Sequence, residues 1–235
     1  MKSRNAGEKV RLQGATASID FIIKLYRPAV EKATGCTLEV LGNNAGRGLI
    51  GLYHGYCDIA LTAADMKTTL EAARMAGKAL KAKGFVWNFL KDDEVVFAVN
   101  PKNRVNKLTD RQIKDIYTGK VLNWDKVGGP DLPIVLFSHN MASAARALIK
   151  SKVMKNEDYS TQTQDFTNQN LIAAEIAKTP GGFSALSKMN TSPKIKILKT
   201  EKIIRPLAFI TKGEPAGKIK EVIAAFKARI AKEEK

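Results

Sequence analysis

Three short stretches of the chain hold residues that could do chemistry on a small ligand: "GATAS" at 14–18, "GNNAGRG" at 42–48 and "SHNMASAAR" at 138–146. Each leaves an apolar, strand-like run, passes through small and polar residues, and enters a helical pattern. A helix start exposes unpaired backbone N–H groups and a partial positive charge, so several starts aimed at one crevice can hold an anion. The side chains on offer are the hydroxyls of Thr16, Ser18 and Ser143, the amide of Asn44, the guanidinium of Arg47 and the imidazole of His139. Ala17, Ala45, Gly46, Ala144 and Ala145 offer backbone amides alone. Plainer uses exist for each: Thr16 and Ser143 as helix caps, Arg47 as a solvated surface arginine, His139 as a buried histidine bonded to a backbone carbonyl. One small-residue turn favours the plain use, whereas three in one chain shift the weight toward a binding site.

Other chemistries find fewer residues. His54 and His139 are the two histidines, Cys36 and Cys57 the two cysteines, and a structural zinc site wants four such ligands at close spacing, so neither a metal nor a cofactor is expected. With so few bases and no nucleophile elbow, an enzyme is the least expected class. The cysteines precede the strand-like runs "TLEVLG" and "DIALTA". Neighbouring strands would bring their starts together, so a disulfide and a pair of buried thiols both stand as readings. Thirty-nine Lys and Arg against 23 Asp and Glu give a formal charge of +16, half of it within 186–235, which favours anionic partners. Nucleic acid is not the expected one, since zinc-finger spacing, RNP-type aromatic strands and a basic heptad helix are all missing. No run approaches the roughly 18 apolar residues that span a bilayer, and "MKSRNAGEKV" lacks the apolar middle of a secretory signal. Met1 reads either as a natural start or as one replacing a removed signal.

The elements that would position these loops follow from periodicity. "VRLQGA" alternates as a strand, and Ile19, Ile22, Ile23, Tyr26 and Val30 share a helical face that Gly35 closes, with Pro28 predicting a bend or a break. "TLEVLG", a glycine-containing turn, a short helix over "LIGLYHG" and the strand "DIALTA" complete a βαβαβ rhythm, the signature of a parallel sheet covered by helices. A helix is predicted over 66–83, then two strands, "FVWNFL" and "EVVFAVNP". Thr109 and Gln112 form a capping box that opens a helix closed by Gly119. "IVLFS" is the next strand, followed by helices over 142–153 and 168–178, strands "KIKILK" and "RPLAFIT", and a last helix bearing Ile219, Val222, Ile223, Phe226 and Ile230.

In order, "GATAS", "EVLGNNAGRG", "DIALTAAD", "VFAVNPKNRVNKLTDRQIKDIYTGKVLNWDKVGGPDLPI" and "RPLAFITKGEPAGKIKEVIAAF" resemble the phosphate-binding subunit of the high-affinity phosphate ABC transporter and its relatives over nearly the whole chain. The resemblance implies an α/β, two-lobed type II periplasmic-binding-protein fold with a ligand cleft between lobes. It places crossing strands near 97–101 and 204–209, with lobe 1 taking 1–97 and 206–235 and lobe 2 taking 98–205. It further implies a monomer in the periplasm or outside the cell, binding phosphate or a similar small anion and serving a membrane ABC permease or a sensor. A divergent member binding a non-phosphate organic ligand, or acting as a sensor or protein-interaction module, is the alternative.

By that resemblance the ligand loops are Thr16–Ala17–Ser18, then Asn44–Ala45–Gly46–Arg47, then His139 with Ser143, Ala144 and Ala145. Asp65 stands for an aspartate that accepts the proton of hydrogen phosphate. The family's second loop reads Gly-Ser-Gly-Thr-Gly, so its serine has become Ala45; its third places an arginine where His139 stands; and its later Gly-Ile-Gly-Tyr aligns with 182–185, which has no tyrosine. Backbone amides survive such changes, but a histidine with a reference pKa near 6.5 is mostly neutral at pH 7 and lacks the arginine fork. Losing two or three charge-assisted bonds, at roughly 1.5 to 3 kcal/mol each, turns tight binding into weak binding.

Overall fold

The structure is a computed structural model that describes residues 8–141 and 143–233. The first seven residues, on which the reading of the chain's start rests, lie outside that set. The chain runs β1 (Lys9–Ala15), α1 (Thr16–Ser18), a π-helical turn (Ile19–Ile23), α2 (Lys24–Thr34), β2 (Thr37–Asn43), α3 (Ala45–His54), β3 (Ile59–Thr62), α4 (Met66–Met75) and β4 (Phe85–Val99). It continues through α5 (Asp110–Tyr117), β5 (Val135–His139), α6 (Ala144–Lys152), β6 (Gln164–Phe166), α7 (Gln169–Lys178), β7 (Gly182–Ser187), β8 (Lys196–Ile197), β9 (Ile203–Lys212) and α8 (Gly217–Glu233). It divides into two compact units. One takes the residues up to Asp92 and those from Pro206; the other is Asp93–Arg205, so the chain passes between them in β4 and β9.

In the first unit β1 lies between β2 and β3 and is parallel to both, with Ala15 opposite Asn43 and Gly14 opposite Leu61. The end of β9 closes this set antiparallel to β3, Ala60 facing Ile210. The βαβαβ reading therefore holds, and it sets the strand ends Ala15, Asn43 and Thr62 along one edge. Gly14 is required there: at φ +144°, a Cβ would sit 2.3 Å from the Leu61 carbonyl oxygen. Because β1 separates the strands that Cys36 and Cys57 precede, their starts are not adjacent, and both are buried free thiols. Burial pushes the Cys57 thiol up to about 12, with Asp58 adding to the rise and Arg11 opposing it.

The second unit orders its strands β4–β7–β5–β6, β5 parallel to both neighbours and β4 antiparallel to β7. Its largely aliphatic core holds an aromatic cluster. Phe97 stacks on Phe183 at 5.9 Å between ring centres, and Trp124, fully buried, donates its indole N–H to the Gly181 carbonyl at 3.1 Å. The predicted capping box forms as read, Thr109 and Gln112 each accepting the other's backbone N–H at the start of α5.

Several elements differ from the sequence reading, each for a local reason. Pro28 sits inside α2 without ending it; the irregularity is the π turn just upstream. The helix predicted over 66–83 stops at Met75, because Gly77 turns to φ +97°. The two strands predicted over 85–101 are one 15-residue strand, β4, whose polar middle survives because Asp93 is buried against a charged partner. β7 is buried along its whole length, although its "GFSALS" sequence carries no strand alternation.

Candidate functional site

In the first unit the strand edge carries three helix starts. After β1 the chain enters α1 at Thr16, after β2 it enters α3 at Ala45, and after β3 it enters α4 at Met66. Each presents first-turn amides at the same end of the parallel strands, where open α/β sheets hold their ligands. Asn44 is buried and caps α3, its Oδ1 accepting the Arg47 N–H at 2.9 Å. Asp65 caps α4 in the same way through Thr68 N–H at 2.7 Å. Asn44 spends one amide of its helix start and leaves the others of the first turn to a further acceptor.

Hydroxyls inside this edge fasten the starts to one another. Ser18, fully buried, donates to the Thr62 carbonyl at 2.8 Å; Thr62 and Thr69 share a hydroxyl–hydroxyl bond of 2.7 Å; Thr69 donates to the Asp65 carbonyl at 2.8 Å. The Ser18 hydroxyl proton is thus committed to the frame. Gly46 is also part of the frame, since a Cβ there would sit 2.4 Å from the Ala72 carbonyl oxygen of α4. Ala17 and Ala45 are buried, Thr16 is half-buried and Arg47 is exposed. Gly46 and Arg47, read as a turn before the helix, lie in the first turn of α3 itself.

The second unit places His139 at the end of β5 and Ser143 as the cap of α6, its Oγ accepting the Ala145 N–H at 3.2 Å. Ala144 is the first residue of that helix. The His139 ring is buried. Its pKa is lowered to about 3, first by burial and then by the charge of Arg205, with the Ala185 backbone opposing and Arg146 adding to the fall. Arg146 donates to the His139 carbonyl at 2.9 Å, pairs with Asp165, and lies over the Tyr159 ring at 4.1 Å. It braces the loop from inside its own unit.

Sequence reasoning missed the polar cluster beneath this loop. Arg205 and Asp93 are buried together: Arg205 Nε donates to Asp93 Oδ2 at 2.8 Å and Ser187 Oγ donates to Asp93 Oδ1 at 2.6 Å. Arg205 Nη2 lies 2.8 Å from the same Oδ2 but out of hydrogen-bond alignment, so it is left without a hydrogen-bond partner. A small pocket of about 10 Å³, room for one water molecule at most, is lined by Arg205, His139, Tyr117 and Tyr159 among others. The signal for the pair was present as Asp93 within an apolar run and Arg205 before "PLAFIT", but the two are 112 positions apart and nothing local links them. Among the described residues no group of three or more His, Cys, Asp and Glu is placed to hold a metal ion, and no helix is long and apolar enough to cross a membrane.

The geometry matches known proteins over most of the chain. The Clostridium perfringens putative phosphate ABC transporter substrate-binding protein, solved with bound phosphate, superposes with a TM-score of 0.83 at 22% identity, over 97% of this chain and 98% of that one. The ABC-type phosphate transport receptor from Vibrio cholerae gives 0.75 at 20% identity, over 96% of each chain. The phosphate-binding protein PstS of Bacillus subtilis is 25% identical over 214 residues, covering 89% of this chain and 67% of that protein. The chain spans 57% of the length of the PstS relative from Borreliella burgdorferi. The model of the PBP superfamily domain matches residues 2–228, and the chain belongs to that family.

Proposed function

We propose that the chain is an extracytoplasmic solute-binding protein that takes phosphate or another small oxyanion and hands it to a membrane ABC permease or a sensor. It works as a monomer, by binding and release with no covalent step. The observation that carries this reading is the row of helix starts at Thr16, Ala45 and Met66 on one strand edge, fastened by the Ser18–Thr62–Thr69 hydroxyls. Such a row holds an oxyanion through backbone amides and needs no mobile cation. The names of the similar proteins point to the same ligand class and to a transporter setting. In this reading Thr16, Ala17, Asn44, Ala45, Gly46 and Arg47 face the anion, and Asp65 discriminates its protonation state.

A second reading, a ligand that is organic rather than phosphate, is favoured by one observation: His139, standing where the resemblance expects an arginine, is buried and neutral. Asn44→Asp tests the first reading at the α3 start. Aspartate caps a helix as well as asparagine does, so the fold is kept while a carboxylate enters the row of amides. Phosphate affinity is expected to fall at least about tenfold, because like charge within about 4–6 Å opposes an anion. Unchanged phosphate affinity in that variant would remove the α3 start from the site.

A further inference from the structure

At the opposite end of the first unit, the residues from Tyr53 to Tyr56 are all exposed, Tyr53 by 42% and Tyr56 by 71%. The His54 ring lies edge-on to Tyr53 at 4.9 Å and stacks on Tyr56 at 5.7 Å. Lys78 and Lys212 hold their ammonium groups over the Tyr53 ring, 5.1 and 6.0 Å from its centre. The bond from Gly213 N–H to the Gly84 carbonyl, at 2.8 Å, brings the 76–84 turn and the end of β9 together, which adds Lys81 and Lys83 to the same region. The acidic residues that border these segments in sequence are Asp58, which is paired with Arg11, and the exposed Glu214, so lysines outnumber free carboxylates here.

The topology separates this patch from the helix starts. α3 begins at the ligand edge and ends at His54, and its ten residues span about 15 Å. The turn from α3 enters β3 at that far edge, and β9 runs antiparallel to β3, so Lys212 ends there too. From this arrangement we infer that the Tyr53–Tyr56 patch, ringed by Lys78, Lys81, Lys83 and Lys212, is a docking surface for an anionic phospholipid bilayer. Tyrosine and histidine rings suit the headgroup layer, where one side of the ring is apolar and the other wet. The lysines supply the charge complement, adding to a chain already at +16. Docking there leaves the opposite, ligand-facing edge open. This inference stands apart from the identity of the ligand.

Co-sedimentation of the full chain with vesicles tests it, using mixed phosphatidylserine and phosphatidylcholine against phosphatidylcholine alone. Binding is expected to the anionic vesicles only. Lys78→Gln/Lys212→Gln is expected to weaken it about twenty-five-fold, at about fivefold per lysine near a charged surface. Tyr53→Ser/Tyr56→Ser, confined to exposed side chains, is expected to weaken it further without shifting the thermal melt. Lys227→Gln/Lys232→Gln, the same charge loss on exposed positions of α8, which packs against α2, is the control. Equal loss in the control and patch variants, equal binding to both kinds of vesicle, or no binding to either would each overturn the inference.

Discussion

Replacing Arg205 by methionine puts the buried polar cluster of the second unit to a quantitative test. The Asp93 and Arg205 side chains are 0% and 1% exposed, so each charge is stabilised by the other rather than by water. Arg205→Met leaves the Asp93 carboxylate buried with the Ser187 hydroxyl, 2.6 Å away, as its remaining side-chain donor. Stranding one charge of a buried pair costs about 3–5 kcal/mol. For a chain of this size that lowers the melting temperature by about 6–20 °C. The comparison is Arg74→Met, which removes the pair with Glu71, whose side chains are 64% and 46% exposed, and is expected to cost under about 1 kcal/mol. Unfolding would be followed by Trp124 fluorescence in a Trp87→Phe background, so that the signal comes from the second unit. Asp93→Leu/Arg205→Met is expected to recover most of the loss, since a matched apolar pair is often neutral relative to a buried ion pair. An Arg205→Met shift no larger than that of Arg74→Met refutes the account of the cluster.

Three further outcomes follow from single residues. His139 in the folded chain holds its proton only below about pH 3, whereas the unfolded chain takes one up below pH 6.5, so folding loses about 1.4 kcal/mol per pH unit between those values. Urea midpoints should therefore drop between pH 7 and pH 5 by the equivalent of about 2 kcal/mol, and by clearly less in His139→Gln; parallel curves for the two proteins contradict the burial. Gly14→Ala places a methyl 2.3 Å from the Leu61 carbonyl oxygen at a φ that side chains avoid, and should cost several kcal/mol, on the order of 3 or more, in a thermal melt. Gly46→Val would disable the site while sparing the fold if Gly46 did no more than offer a backbone amide. The approach to Ala72 means that it should instead lower stability together with binding, which circular dichroism and titration run side by side will separate.

The first unit was the more legible half because its elements are local. Apolar alternation in "VRLQGA", the 3.6-residue face from Ile19 to Val30 and the turns at Gly35 and Gly42 each lie within a few residues, and they fix a parallel sheet with its strand-to-helix loops at one edge. What the pattern could not give was the use of each hydroxyl. Ser18 reads as a ligand hydroxyl, yet its proton goes to the Thr62 carbonyl, a partner 44 positions away. The second unit hid more. Asp93 looks like the break between two strands until Arg205 is placed beside it, and β7 carries no strand pattern because a strand buried on both faces has no reason to alternate. His139 stood out by type, but its burial depends on Tyr117, Tyr159 and Arg205, all distant in sequence.

The central claim is that the row of helix starts holds a small oxyanion. It is tested most directly by unfolding the protein, stripping any bound solute, refolding it, and titrating phosphate calorimetrically at low and at physiological ionic strength. Saturable one-to-one binding that persists at physiological salt is the predicted result. No heat, or heat that disappears as the salt is raised, contradicts the claim, because that is how a surface of net charge +16 attracts anions without a site.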